Sequence, residues 1–199
     1  MTATTAEVPA STPCTVALER ASILEFAETT GSTHRTYRDA ELPVVPPTYL
    51  CLERFADTAP SPAGDGPVER DCRFFGLPPH AGDRLIMTSR GNDADRLTEF
   101  RDADGRLVAD AWTHGDGADS TAADRLAGYA TDWLGPESVR RFRTRSVGAV
   151  PEGETLACTG AVVQEYIADG ERRVDVALTA IRPTGQVAAR AWATFARAD

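Results

Sequence analysis

Residues 15–49 read TVALERASILEFAETTGSTHRTYRDAELPVVPPTY, and the fold turns on how this stretch is parsed. A short strand opens it. Ile23, Phe26, Ala27 and Thr30 then stand at i, i+3, i+4 and i+7, which makes one helix face apolar. Ser22 and Glu25 have the spacing of a capping box. Gly31 suits the position just past the helix end, where a left-handed backbone disfavours a side chain. Ser32, Thr33, His34, Thr36, Tyr37 and Asp39 follow at once. Six hydrogen-bonding side chains directly after a buried helix are either a site or a solvated turn. Pro43, Pro46 and Pro47 then hold the backbone extended.

Outward from this stretch, Tyr49–Phe55 is a short apolar segment and 56–67 a Pro/Gly/Ala loop. Strand-like text follows at 68–76, 84–91, 95–102 and 106–115, with Asp-Ala-Asp-Gly (102–105) as a hairpin turn. Residues 115–121 form a second linker. A second helix begins at Asp119, Ser120 or Thr121, carries the stripe Leu126, Tyr129, Ala130, Trp133 and Leu134, and stops at Gly135-Pro136. Four strands complete the chain, at 139–150, 154–167, 172–182 and 186–196.

The halves repeat one another. RFFGLPPHAGDRLIMTSRG (73–91) matches RFRTRSVGAVPEGETLACTG (141–160), and GRLVADAWTH (105–114) matches GQVAARAWATF (185–195). Gly105 and Gly185 are 80 apart, as are Trp112 and Trp192, but Gly82 and Gly153 are 71 apart. The difference predicts a hairpin shortened in the first copy. The expected architecture is α+β, a helix plus antiparallel sheet twice over. The Trp-bearing strands and the two helices would form the core.

The 199 residues suffice for one domain or two small fused ones. A net charge of −9 argues against nucleic acid and gives no general attraction to acidic membranes or acidic carrier proteins. The four cysteines, 14, 51, 72 and 158, contain no CxxC pair and fit reduced thiols in a cytoplasmic protein. No apolar run reaches membrane-spanning length. The start, MTATTAEVPASTP, has neither a basic nor an apolar signal region and reads as a loose tail.

Three stretches, ILEFAETTGSTHRTYRD…VVPPTY, LAGYATDWLGPESVRRFRTR…VPEGETL and GQVAARAWATF, together resemble the MaoC-like branch of the hotdog fold. Its members are (R)-specific enoyl-thioester hydratases and β-hydroxyacyl-thioester dehydratases. The resemblance covers nearly the whole chain from about Val16. It implies a double hotdog, two long helices each wrapped by an antiparallel sheet, with a tail at 1–14 and units at 15–116 and 117–199. The family's motif, G-D-x-N-P-x-H after the helix, falls on Gly31 to Tyr37. Ser32 stands at the Asp position, His34 at the Asn position and Tyr37 at the His position. Neither family acid/base residue is present. Fold and, loosely, ligand class carry over; the catalytic pair does not.

The candidate chemistry is therefore read from this chain. His34 can titrate near neutrality and act in proton transfer. Tyr37 can donate to a carbonyl or enolate oxygen. Asp39 can orient His34. Ser32, Thr33 and His80 are candidate substrate contacts, and so are Arg141 and Arg143, which share one strand face with Arg145. That stripe would meet coenzyme A phosphates or a carrier protein, or else pair with nearby carboxylates. The three His are too dispersed for a metal, and no cofactor motif is present. Two functions are expected. One is an enzyme acting on an acyl thioester or polyketide intermediate by dehydration, hydration or cyclisation, in the secondary metabolism of a high-GC bacterium. The other is a catalytically inactive pseudo-dehydratase serving as partner subunit of a hetero-oligomeric dehydratase. A homodimer and a heterodimer are both open.

Overall fold

The computed structural model describes residues 10–52, 55, 66–92, 94–115, 121–147, 150, 151 and 153–197. The elements in order are β1 (Cys14–Ala17), α1 (Arg20–Thr30), α2 (Thr36–Asp39), β2 (Val68–Phe74), β3 (Arg84–Asn92), β4 (Asp95–Arg101), β5 (Leu107–His114), α3 (Thr121–Leu134), β6 (Val139–Ser146), β7 (Ala157–Ala168), β8 (Glu171–Ile181) and β9 (Val187–Ala196). Short 3-10 turns lie at Tyr49–Cys51 and Pro136–Ser138. Residues 56–65 of the loop expected at 56–67, the caps Asp119 and Ser120, and most of the tail fall outside the described residues. Ser11, placed in that tail, already donates its N–H to the Ser89 carbonyl at 2.7 Å.

The two expected sheets are one. Nine strands pair antiparallel in the order β1-β3-β4-β5-β2-β6-β9-β8-β7, joined at the centre where β2 meets β6. One row of paired residues crosses the sheet: Arg90, Leu97, Trp112, Asp71, Arg143, Trp192, Ala177, Ala161. It reads alike from either end, with Trp112 and Trp192 flanking the central Asp71/Arg143 pair. Leu97 and Ala177 are again 80 apart, and Arg90 and Ala161 are 71 apart. The missing nine residues thus lie in the β3–β4 hairpin, whose strands have 9 and 7 residues against 12 and 11 in β7 and β8.

The Trp-bearing strands line the core, but not through their tryptophans. Ala109 and Ala111 of β5, and Ala189, Ala191, Ala193 and Phe195 of β9, are buried. Trp112 and Trp192, one position out of phase, point to the other face, and Trp192 is 49% exposed. Small side chains on the covered face let a helix approach closely. α3 answers with its own small stripe, Ala122, Ala123, Leu126, Ala127 and Ala130, all buried. Tyr129 and Trp133, expected in that stripe, sit instead on its flank and are partly exposed. They fit beneath β7 at Gly160, where a Cβ would come within 3.2 Å of Tyr129 and 2.9 Å of Trp133.

The first half departs from the expected pattern. α1 has only 11 residues and packs on α3 rather than across its own strands. Gly128 of α3 marks the crossing, because a Cβ there would lie 2.5 Å from the Thr30 carbonyl oxygen. The proline-rich segment takes the covering role over β2 and β5. Its Val44, Val45, Tyr49, Leu50 and Cys51 are buried. Phe26, Tyr49, Phe55 and Phe100 pack in sequence, edge to face at the two ends and tilted between Tyr49 and Phe55, with centroids 5.5, 5.5 and 5.8 Å apart. Thr48 donates to the Asp124 carboxylate of α3 at 2.8 Å and pins the segment to the second half. The capping box does not form either: α1 starts at Arg20 behind Glu19, so Ser22 lies inside the helix. Gly31 does end it, with φ 71°.

Candidate functional site

The polar turn after α1 is organised around one carboxylate of the other half. Asp132 of α3 accepts from the Ser32 hydroxyl (2.6 Å), the Thr33 amide (2.9 Å) and hydroxyl (2.8 Å), and the His34 amide (2.9 Å). Partial burial pushes its carboxyl up, but these donors outweigh that and hold it below the usual aspartate range. The His34 ring is half-buried and its Nδ1 accepts the Thr36 amide at 3.3 Å, which assigns the neutral ring's proton to Nε2. Thr36 donates to Glu137 at 2.8 Å.

Tyr37 is buried against the end of α3. Its hydroxyl lies beside Thr131, which donates to the Ala127 and Gly128 carbonyls, and has no hydrogen-bond partner among the described residues. Burial first, then Glu137 and Asp132, push the phenol well above its ordinary range. Asp39 is exposed.

A cleft of about 880 Å³ opens on the other side of Gly31. Its walls are the end of α1 (Thr29, Thr30, Gly31), one face of α3 (Thr121, Arg125, Tyr129, Asp132) and the segment running into β7 (Val150, Pro151, Leu156, Cys158). His34, Tyr37 and Asp39 are not among its lining residues; Asp132 is what connects the turn to it. The cleft's charges are unequal in their commitments. Asp132 is held by the turn. Glu154 accepts from Arg182 at 2.6 and 2.8 Å, which lowers its carboxyl. Among the described residues, no hydrogen bond or ion pair ties up Arg125. Its guanidinium lies over Gly31, where a Cβ would collide with it. The Cys158 thiol is pushed up by burial, an effect Arg125 opposes.

The remaining candidates lie elsewhere. His80 is on the β2–β3 turn, bridged to Val44, with its amide on Asp83 at 2.8 Å. Arg141 and Arg143 stand on the open face of the sheet, each with an acid: Arg141 on Asp71, Arg143 on Glu69 at 2.8 Å. Arg145 reaches Glu69 at 3.7 Å. With Trp192 they line a shallow groove of about 470 Å³. Sequence reading passed over Arg125, Asp132 and Cys158. The signal was present on α3, where Thr121, Arg125, Tyr129 and Asp132 fall on one helix face.

No family model matches the sequence, and no curated protein matches it. Solved structures do. A MaoC-like dehydratase superposes with TM-score 0.68 at 13% identity, over 97% of this chain and 98% of its own. A MaoC-like dehydratase from Phytophthora capsici gives 0.62 at 14%, over 96% and 97%. The peroxisomal multifunctional enzyme type 2 from Drosophila melanogaster gives 0.62 at 12%, over 92% of this chain and 48% of that one. The chain has the hotdog fold, in the form taken by MaoC-like dehydratases.

Proposed function

We propose that this chain is a double-hotdog enzyme that holds an acyl thioester or polyketide intermediate in the cleft between α1, α3 and residues 150–158. The observation that carries this is the imbalance of commitments among the described residues: Asp132 and Glu154 are occupied by donors, and no hydrogen bond or ion pair engages the Arg125 cation. A guanidinium beside hydroxyls and the apolar Val150, Pro151 and Leu156 suits a thioester whose oxygen gains negative charge as it reacts. Hydration, dehydration and ring closure all pass through such an oxygen. His34 stays a candidate for proton transfer only as a neighbour of the cleft, since its amide donates to Asp132 while its ring is not part of the lining. Tyr37 serves packing, and Asp39 stays in water. The likeness to MaoC-like dehydratases supports the ligand class, and the repeated register supports the double hotdog. The setting is cytoplasmic, in bacterial secondary metabolism, with the acyl group on coenzyme A or a carrier protein.

Turnover of crotonyl- and 3-hydroxyacyl thioesters by wild type, Arg125→Ala and His34→Ala tests it. Loss of one charge-stabilising group is expected to lower turnover by roughly 100-fold in Arg125→Ala. Undiminished turnover in that variant overturns the role of the cleft, and undiminished turnover in His34→Ala removes His34. A second reading has one observation in its favour: no Asp/His pair stands where the family's motif falls. In it the chain is a non-catalytic partner of an active hotdog protein. Wild type silent alone but required for a partner's turnover would select it.

A further inference from the structure

The cleft stops at the same level on two of its walls. On α3, Thr121, Arg125 and Tyr129 line it at successive turns, and Trp133, next in that row, does not. On β7, Cys158 lines it, and Gly160, next on the same strand face, does not. Aromatic rings fill the space between. A Cβ on Gly160 would lie 2.9 Å from the Trp133 indole and 3.2 Å from the Tyr129 ring. The two rings sit side by side, with centroids 6.4 Å apart and planes inclined by 52°.

Past the rings the wall stays apolar. Val162 continues the face of Cys158 and Gly160, and their partners on β8, Ala180, Leu178 and Val176, are buried. Val162 itself is exposed, so this face is not packed solid beyond Gly160. An apolar track thus runs on from the cleft, and Tyr129 and Trp133 close the way to it. These are the two bulkiest side chains of α3, and both keep one side in water. The helix makes its core contact through alanines and Leu126 instead. Gly160 is what lets the rings sit so low, because any side chain there would crowd both of them.

We propose that Tyr129 and Trp133 form a stop over Gly160 that sets the length of acyl group the cleft accepts. This deepens the function proposed above and rests on it. With its thioester oxygen at Arg125, an acyl chain runs along Tyr129, Leu156 and Cys158 and then meets the indole. Each methylene buried before that point raises affinity about fourfold. Each one beyond it must displace a ring or turn back into water, and adds nothing. The substrate class is therefore short acyl groups that end before Gly160.

Calorimetric titration of the full chain with butyl, hexyl, octyl and decyl thioethers of coenzyme A tests this. Wild-type affinity is expected to rise with chain length and then level off. In Trp133→Ala the rise should continue past the wild-type limit, so that the ratio of decyl to butyl affinity increases at least tenfold, or about two to three methylenes' worth. Trp133→Leu keeps apolar cover over β7 and carries the test should alanine unfold the end of α3; its ratio should increase by less. Phe75→Ala removes an exposed aromatic of the β2–β3 turn and should show the wild-type ratio. A wild type that binds none of the thioethers overturns the reading of the cleft, and the stop with it. Binding with the same length limit in wild type and both Trp133 variants overturns the stop alone, as does a wild-type affinity that rises through the whole series.

Discussion

At the scale of single residues, the chain uses polar groups mainly to lock its two halves together. Asp132 gathers three residues of a turn about a hundred positions away in sequence. Its folded pKa is depressed, so its contribution is complete above the unfolded value near 4 and is lost as pH falls through the folded value. The melting-temperature advantage of wild type over Asp132→Asn should therefore be full at neutral pH and shrink below about pH 4. An advantage that does not change with pH would mean the carboxylate charge is not what holds the turn. Because Asp132 is largely exposed, the neutral-pH cost should be that of a lost cap, about 1–2 kcal/mol. The thiols give a second expectation. Cys72 is fully buried, and that burial, with Cys51 beside it, pushes its thiol well up. A thiol reagent should modify the exposed Cys14 first and leave Cys51 and Cys72 unmodified until unfolding, as mass spectrometry would read.

At the scale of elements, the strands were legible and the helices only partly so. Alternation in β5, β8 and β9 placed them well, but alternation does not say which phase faces the helix. The Trp-bearing strands are placed in the core without a phase, and close packing of α3 puts their alanines, not their tryptophans, on the covered face. Pro43, Pro46 and Pro47 mark the segment before Tyr49 as non-helical, while Tyr49–Cys51, left without a type from sequence, is a 3-10 turn. That the 43–51 segment replaces a helix over β2 and β5 depends on tertiary contacts no local pattern encodes. The cleft was hidden for the same reason, since it is assembled from α1, α3 and the approach to β7. The α1–α3 crossing yields a test. Gly128→Ala raises helix propensity by about 1 kcal/mol, yet its methyl would lie 2.5 Å from the Thr30 carbonyl oxygen. Net destabilisation of about 1–3 kcal/mol is expected in urea unfolding. A neutral or stabilised variant would show that the helices separate without strain.

At the scale of the whole molecule, one continuous sheet carries two half-molecules that are alike in register and unlike in equipment. The first half brings β1, α1 and the polar turn. The second brings the full-length helix and the long hairpin. The cleft exists because α1 of the first half crosses α3 of the second, so its lining residues come from both. The resemblance read from sequence anticipated this fold. It did not reveal that Arg125, on the opposite wall of the cleft, would lie over Gly31 with no hydrogen bond or ion pair among the described residues. The most direct test of that claim is calorimetric titration of wild type and Arg125→Ala with a non-reactive acyl-coenzyme A thioether, alongside modification of Cys158 in the cleft. Wild type should bind with the thiol shielded on saturation, and Arg125→Ala should bind at least tenfold more weakly, about 1.4 kcal/mol. No binding by wild type, or equal binding by both proteins with Cys158 still reactive, would contradict it.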